Sequence, residues 1–289
     1  MLKFNFCKII VQCVYLKSAI SDFIFLSTNT YIIMKITKLT LVGAGPGDEE
    51  LITLKGVRAL QSADVVLYDA LANKSLLDFV PEGVPCLFVG KRSGEHSMKQ
   101  EEINELIVSS AFTYGHVVRL KGGDPVVFGR AFEEMEYAEA FGIACELVSG
   151  VSSCIAVPSS IGIPVTRRGV SDSFWVITGH TQSGGVPADI YLAAQSSATV
   201  VVLMGLARLK EIAEVFAGAG KAELPVAVIQ NGTKEDARFV VGQVKDIAEK
   251  VGEVQIKRPS VIVFGEVVGI HPEYIALYSE KLLNEEILV

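Results

Sequence analysis

Paired cysteines are the first thing this sequence lacks. Its five cysteines (Cys7, Cys13, Cys86, Cys145 and Cys154) are odd in number and contain no C-x-x-C pair. A disulfide scaffold is therefore not expected, and a reducing, intracellular setting fits best. The four histidines (His96, His116, His180 and His271) lie nowhere near metal-ligand spacing, so no metal site is expected. Strong charge of one sign is also missing: 26 Lys and Arg against 33 Asp and Glu leave a formal net charge of −7. That mild acidity argues against a nucleic-acid partner read over a broad surface, while leaving room for a local basic cleft. Nor does any apolar segment of residues 1–33 reach the ~18–20 residues of a membrane helix, because Lys8, Lys17 and Asp22 interrupt the runs. A secretory signal would need a longer clean apolar core and a small-residue cleavage site, and neither is clear. Residues 1–33 contain no glycine or proline at all. They read as an extension without a folded role, with Met34 as the working start.

What is present is a large apolar core. Half of the 289 residues are hydrophobic and a fifth are charged, and at ~150 residues per domain the length predicts about two domains. Short apolar runs punctuate the first half: Leu39–Val42, Val65–Tyr68, Leu87–Val89, Val117–Leu120 and Cys145–Val148. Between them lie helical patterns, clearest over Glu101–Tyr114, where Ile103, Leu106, Ile107, Ala111 and Tyr114 fall on one stripe. Buried strands alternating with helices predict a parallel sheet covered on both faces. Beyond Ser149–Cys154 the pattern changes. Phe174–Thr178, Thr199–Met204, Pro225–Ile229, Arg238–Val241 and Ser260–Phe264 follow with few helices, chiefly Leu206–Ala217 and Gln243–Val251. The expected architecture is α/β: an N-terminal domain over 34–150, a C-terminal domain with a more mixed sheet over 151–271, and a tail over 272–289.

The glycine-rich turns carry the chemistry. Gly43-Ala-Gly-Pro-Gly47-Asp48 follows the first strand directly, as a dinucleotide loop would, yet Asp48 stands where that fingerprint needs glycine and Pro46 removes a backbone donor. No G-K-[ST] follows, so a Walker loop fails as well. A tight strand-to-helix turn is an equal reading of this motif. Arg119-Leu-Lys-Gly122-Gly123-Asp124-Pro125 leaves the fourth strand. Asp124 there can accept from a ligand's amine or hydroxyls, or simply serve as a turn aspartate before proline. Asp69 ends the second strand and Lys91-Arg92 the third. Ligands of open α/β sheets sit outside the carboxyl ends of strands, so an acid and a base can face one crevice. On residue type alone, Asp69 reads equally as a cap and Lys91 as a solvated charge.

The ordered set VGAGPGDEELITLKG (42–56), ADVVLYDAL (63–71), FVGKRSGEHSMKQEEIN (88–104), RLKGGDPVVFGR (119–130), GIPVTRR (162–168), VLMGL (202–206) and PVAVIQNGT (225–233) resembles the tetrapyrrole methylase family over nearly all of 36–270. The stretch from Lys91 to Asn104 is most similar to the branch that methylates uroporphyrinogen III. That resemblance implies two α/β domains with the active-site cleft between them, a homodimer, and a cytoplasmic enzyme. It implies two successive methyl transfers from S-adenosyl-L-methionine to carbons 2 and 7, giving precorrin-2 through precorrin-1 for sirohaem and cobalamin. Matched position by position, the cofactor contacts fall on Pro46, Gly122, Gly123, Asp124, Val127, Ser152, Ser153, Met204 and Gly232. The proton acceptor falls on Asp69 and the proton donor on Lys91. The chain departs from the family pattern at Ser149-Gly-Val-Ser152, which keeps a hydroxyl, and at Gly129-Arg-Ala-Phe-Glu133, which puts bulk at Phe132. No sirohaem-type dehydrogenase or ferrochelatase module is recognised before residue 34, as expected of a single-function form.

A substrate with eight carboxylates needs cations. Arg92, Arg119, Lys121, Arg130, Arg167 and Arg168 are the candidates, since a guanidinium fork suits a carboxylate, and about half are expected to be ordinary surface charges. Two other functions fit the same motifs: a methylase acting on a later corrin intermediate, and a paralogue that binds the methyl donor without turnover. Having both Asp69 and Lys91 argues against the second.

Overall fold

The computed structural model describes residues 37–90, 98–180 and 184–278. The extension 1–33 and the candidates Lys91 and Arg92 lie outside the described residues. All described residues belong to one compact unit, Lys35–Val289.

Strands β1 (Lys38–Gly43), β2 (Val65–Tyr68), β3 (Cys86–Phe88), β4 (His116–Lys121) and β5 (Ala144–Val148) form one sheet in the order β3-β2-β4-β1-β5. Every neighbouring pair is parallel. Alternate residues explain why these runs are apolar throughout. Leu39, Leu41, Val65, Leu67 and Val117 pack on one face with Ile103, Ile107 and Ala111 of α2 (Gln100–Tyr114) and Ala131 and Ala138 of α3 (Ala131–Glu139). Val42, Val66, Val118, Leu120 and Val148 pack on the other with Leu60 of α1 (Leu54–Gln61) and Leu76 of a 3-10 helix, Lys74–Phe79. Burying each large side chain contributes ~1.5–3 kcal/mol over leaving it exposed. The helices start where polar side chains satisfy free N–H groups. The Thr53 hydroxyl accepts from the Gly56 N–H (3.1 Å) at the start of α1, and the Glu102 carboxylate accepts from Lys99 (2.6 Å) at the start of α2. Gly115, at φ 109°, ends α2.

The second sheet is mixed, as the sequence predicts. Strands β6 (Phe174–Thr178), β7 (Thr199–Leu203), β8 (Pro225–Gln230), β9 (Arg238–Gln243) and β10 (Ser260–Phe264) run in the order β6-β7-β10-β8-β9. Only β6 and β7 pair in parallel. Its helices depart from expectation in four places. Leu206–Ala217 divides into a 3-10 turn, Leu206–Arg208, and α6 (Leu209–Gly218). Gln243 belongs to β9, because Asp246 Oδ1 accepts its N–H at 2.7 Å and turns the chain before α7 (Ile247–Val254) begins. Two further helices were not anticipated: α4 (Ser153–Ser160), which contains Pro158, and α5 (Ala188–Gln195). At eight residues each, they are too short to develop a period. Part of the expected C-terminal tail is helical, over 272–278. The buried Tyr278 there donates its hydroxyl to Asp246 Oδ2 at 2.7 Å.

Candidate active site

The carboxyl ends of β1, β2 and β4 converge on one cleft. The two glycine turns are joined to each other: Gly45 N–H donates to Gly123 O (3.2 Å) and Gly123 N–H to Gly45 O (2.6 Å). Both residues have left-handed backbone, φ 77° and 69°, which a side chain would strain. Asn73 fixes the first turn by donating its amide to Gly47 O (2.8 Å) and Glu49 Oε2 (2.9 Å). Asp124 fixes the second. Its Oδ1 accepts from Val126 N–H (2.9 Å) and its Oδ2 from Gly150 N–H (3.0 Å). The turn-aspartate reading of Asp124 therefore holds, and the residue also ties the loop after β4 to the loop after β5. Ser152 caps α4, its hydroxyl accepting from the Cys154 N–H.

The second sheet closes the other wall. Met204 follows β7, and Asn231, Gly232 and Thr233 follow β8. Thr233 Oγ1 accepts the Asp48 N–H (3.2 Å), fastening the β8 loop to the first glycine turn. Among the described residues, six non-glycine residues adopt left-handed backbone. Five of them, Phe128, Arg130, Met204, Asn231 and Thr233, sit on loops at this cleft. Each such residue costs ~1–3 kcal/mol and persists only where its surroundings enforce it, a pattern typical of functional sites.

The resulting cavity is about 380 Å³, in the range of small-molecule sites. Pro46, Gly122, Gly123, Asp124, Val127, Ser152, Ser153, Met204 and Gly232 all line it, together with Asp69, Lys121 and Arg130. No group of three or more potential metal ligands occurs among the described residues. No helix among them is long and apolar enough to cross a membrane.

Asp69 sits at the cleft floor. Its Oδ1 accepts from Leu71 N–H (3.0 Å), Ala72 N–H (3.2 Å) and Gly122 N–H (3.4 Å), so the residue is both a turn cap and a cleft carboxylate. Among the described residues, Arg119 is the ion-pair partner of its Oδ2, at 3.7 Å. Behind it, Arg119 is 3% exposed and donates to the Leu67 (3.4 Å) and Leu120 (3.0 Å) carbonyls. Glu134, whose side chain is 0% exposed, lies 3.5 Å from Arg119 Nε and accepts from Lys121 Nζ (2.8 Å) and Gln100 Nε2 (3.1 Å). Burial, and after it the neighbouring Arg119, lower the Lys121 pKa, while Glu134 opposes them.

These contacts correct part of the expected carboxylate clamp. Arg119 is an internal cation: its guanidinium donates to two carbonyls and lies between the buried Glu134 and the partly exposed Asp69. Arg167 and Arg168 are exposed in the segment before β6, where Arg167 pairs with Ser171, and neither lines the cleft. Lys121 and Arg130 do line it, the latter paired with Glu133. Phe132 is 59% exposed and not part of the cleft lining, so the substitution leaves the glycine turn intact. Glu134 went unread in the sequence, although Ala131, Glu134 and Ala138 share one helical stripe that puts a carboxylate on the buried face of α3.

A two-sheet α/β enzyme with a glycine-lined small-molecule cleft at its strand ends is the class these features define. The sequence pattern of the family described as Tetrapyrrole (Corrin/Porphyrin) Methylases matches residues 38–248. The chain belongs to this family of methyltransferases. It is 45% identical over 235 residues to a uroporphyrinogen-III C-methyltransferase of Methanocaldococcus jannaschii, covering 81% of this chain and 97% of that one. It is 46% identical to a Bacillus subtilis uroporphyrinogen-III C-methyltransferase, over 82% of this chain and 50% of the relative. Among solved structures, it is similar to the Thermus thermophilus uroporphyrin-III C-methyltransferase complexed with S-adenosyl homocysteine. That match has 38% identity and a TM-score of 0.70 over 81% of this chain and 99% of the other. A cobalt precorrin-4 methyltransferase matches with 28% identity and a TM-score of 0.72, over 80% of this chain and 96% of the other.

Proposed function

We propose that the protein methylates uroporphyrinogen III at carbons 2 and 7 with S-adenosyl-L-methionine, giving precorrin-2 through precorrin-1 for sirohaem and cobalamin synthesis. One observation carries the reading: the nine positions matched to cofactor contacts, scattered from Pro46 to Gly232, line a single cavity beside Asp69. The donor set suits S-adenosylmethionine. A Cβ at Gly122 would stand 2.4 Å from Leu71 Cβ, so only glycine lets the loop after β4 pack directly on the Asp69 turn beside the cavity. Asp124, Ser152 and Ser153 offer acceptors for an amine and hydroxyls, and Val127 and Met204 offer apolar surface. The bound cofactor supplies a methyl group on a sulfonium, an electrophile that requires alignment more than activation. Asp69 takes up a macrocycle proton at Oδ2, since its Oδ1 is already filled by three N–H groups. Lys91 is assigned as the proton donor on the resemblance. Lys121 and Arg130 hold substrate carboxylates at the cleft, and Arg92 is assigned the same role on its residue type alone. The enzyme acts in the cytoplasm as a homodimer, which light scattering tests.

The structural likeness to cobalt precorrin-4 methyltransferase keeps a second reading open, a methylase acting on a later corrin intermediate. The higher identity to uroporphyrinogen-III enzymes favours the first. Incubation with labelled S-adenosylmethionine and uroporphyrinogen III is expected to transfer two methyls per macrocycle. Transfer only to a later corrin intermediate would replace the first reading with the second.

A further inference from the structure

Four charged side chains form a chain behind the cleft: Asp69, Arg119, Glu134 and Lys121. Asp69 and Lys121 open onto the cavity, whereas Arg119 and Glu134 are buried behind it. Two acids and two bases make the set neutral, but its spacing is uneven. Glu134 Oε1 takes Lys121 Nζ at 2.8 Å and stands 3.5 Å from Arg119 Nε, while Arg119 Nη2 stops 3.7 Å from Asp69 Oδ2. Arg119 is thus shared between two carboxylates and closes fully on neither. A carboxylate gripped by an arginine fork at hydrogen-bonding distance is a poor proton acceptor, because the pair favours the ionised form.

We infer that Glu134 is a positioning residue that keeps Asp69 Oδ2 available to the substrate by drawing Arg119 and Lys121 away from it. The inference rests on the proposed role of Asp69 as proton acceptor. Without the Glu134 charge, Asp69 is the one carboxylate left within ion-pair distance of Arg119 among the described residues, and Glu133 acts on Lys121 only through space. Arg119 then loses its second partner and closes on Oδ2. Among the described residues, the groups facing Asp69 are the N–H groups of Leu71, Ala72 and Gly122 from its own turn and the β4 loop, the Arg119 guanidinium, and the Lys121 ammonium acting through space.

Three variants of the full chain test this: Glu134→Gln, Arg119→Gln, and the double variant, which removes one charge of each sign. Glu134→Gln is expected to lower kcat about a hundredfold, as for a misplaced catalytic group, with the dissociation constant for S-adenosylmethionine unchanged and a smaller shift in KM for uroporphyrinogen III as Lys121 is freed. The double variant restores charge balance and frees Asp69, so it should recover stability and most of kcat. A merely structural ion pair recovers stability in the double variant in the same way, so stability does not discriminate, and recovery of kcat together with the Asp69 titration does. Should Glu134→Gln fail to fold, Glu134→Asp decides: it keeps the charge but withdraws it by one methylene, so kcat should fall partway, and wild-type kcat in a folded Glu134→Asp overturns the inference. Wild-type kcat in Glu134→Gln, or a loss confined to KM, would overturn the inference. Carbon NMR titration of the Asp69 carboxyl, assigned with Asp69→Asn, provides a readout that needs no substrate. Its midpoint should fall in Glu134→Gln and return in the double variant, and an unmoved midpoint sinks the inference. If wild type fails to methylate uroporphyrinogen III, the functional reading falls, and the titration still judges Glu134.

Discussion

The two sheets meet the cleft in different ways. Loops of the first sheet bring ionisable groups, Asp69, Lys121, Asp124 and Arg130, each held by hydrogen bonds or an opposite charge. Strand ends and loops of the second sheet bring mostly uncharged groups and bent backbone, Leu203, Met204, Ile229, Asn231 and Gly232, with Lys234 the one ionisable lining residue from this side among the described residues. The division follows from topology. Parallel strands all end on one edge, so polar loop residues accumulate there and can neutralise one another. The mixed sheet sends only some strand ends to the cleft, and it shapes the wall through left-handed residues such as Met204 (φ 57°) and Thr233 (φ 70°). Proton chemistry and cavity shape therefore rest on separate parts of the chain.

If that division holds, substitutions on the two sides should fail on different observables. The largest effect is expected for Asp69→Asn, which keeps Oδ1 as an acceptor and removes only the charge. Turnover should fall ~10²–10⁴-fold, with the melting temperature and S-adenosylmethionine affinity nearly kept. Equal loss of affinity would erase the distinction between chemistry and shape. Asp124→Ala should weaken S-adenosylmethionine binding by ~1–3 kcal/mol, a factor of ten to a hundred. It should also lower stability, since two backbone N–H groups lose their acceptor. Calorimetric titration checks the first and thermal melting the second. On the other wall, a Cβ at Gly232 would stand 2.4 Å from Val157 Cγ1. Gly232→Ala is expected to cost ~1–3 kcal/mol by overpacking, raising the cofactor dissociation constant while single-turnover chemistry at saturation stays intact. The smallest effect lies away from the cleft. Lys38 and then Lys55, both bonded to Glu146, hold its pKa at about 2. A depressed carboxylate pKa stabilises the fold above the ordinary carboxylate range, and that contribution disappears as pH falls toward 2. The pair is exposed to solvent, so Glu146→Gln should cost only ~0.2–1 kcal/mol at neutral pH. Denaturant melts with added salt should shrink the difference further.

All ten described strands were legible in the sequence to within two residues at either end, because continuous Val, Ile and Leu runs bounded by glycine or polar turns leave few alternatives. The short helices were not. In α4, Pro158 and three serines read as loop, and the Ser152 cap with packing of Cys154 and Val157 against the second sheet makes it helical. At the site, the glycine turns and Asp69 could be placed at strand ends from sequence alone. The fate of Arg119 could not. It sits inside an otherwise apolar strand, and nothing local says that two carbonyls and Glu134 wait on the inner side. Arg167 and Arg168 fall among the half expected to be ordinary surface charges, and sequence could not say which, since a basic pair in a turn looks the same whether it faces a ligand or bulk water.

The strand order also has a consequence in time. Strand β1 is the first of the sheet to be synthesised, yet its partners are β4 and β5, with Lys38 opposite His116 and Ala144. Until those strands leave the ribosome, an apolar strand with unpaired edges has nothing to bond to. Contacts so distant in sequence slow folding and expose intermediates to aggregation. The Gly45–Gly123 pairing at the cleft depends on the same late event. The ligand pocket therefore comes into being with the closing of the sheet, and a nascent chain ending before β4 has a glycine loop but no site.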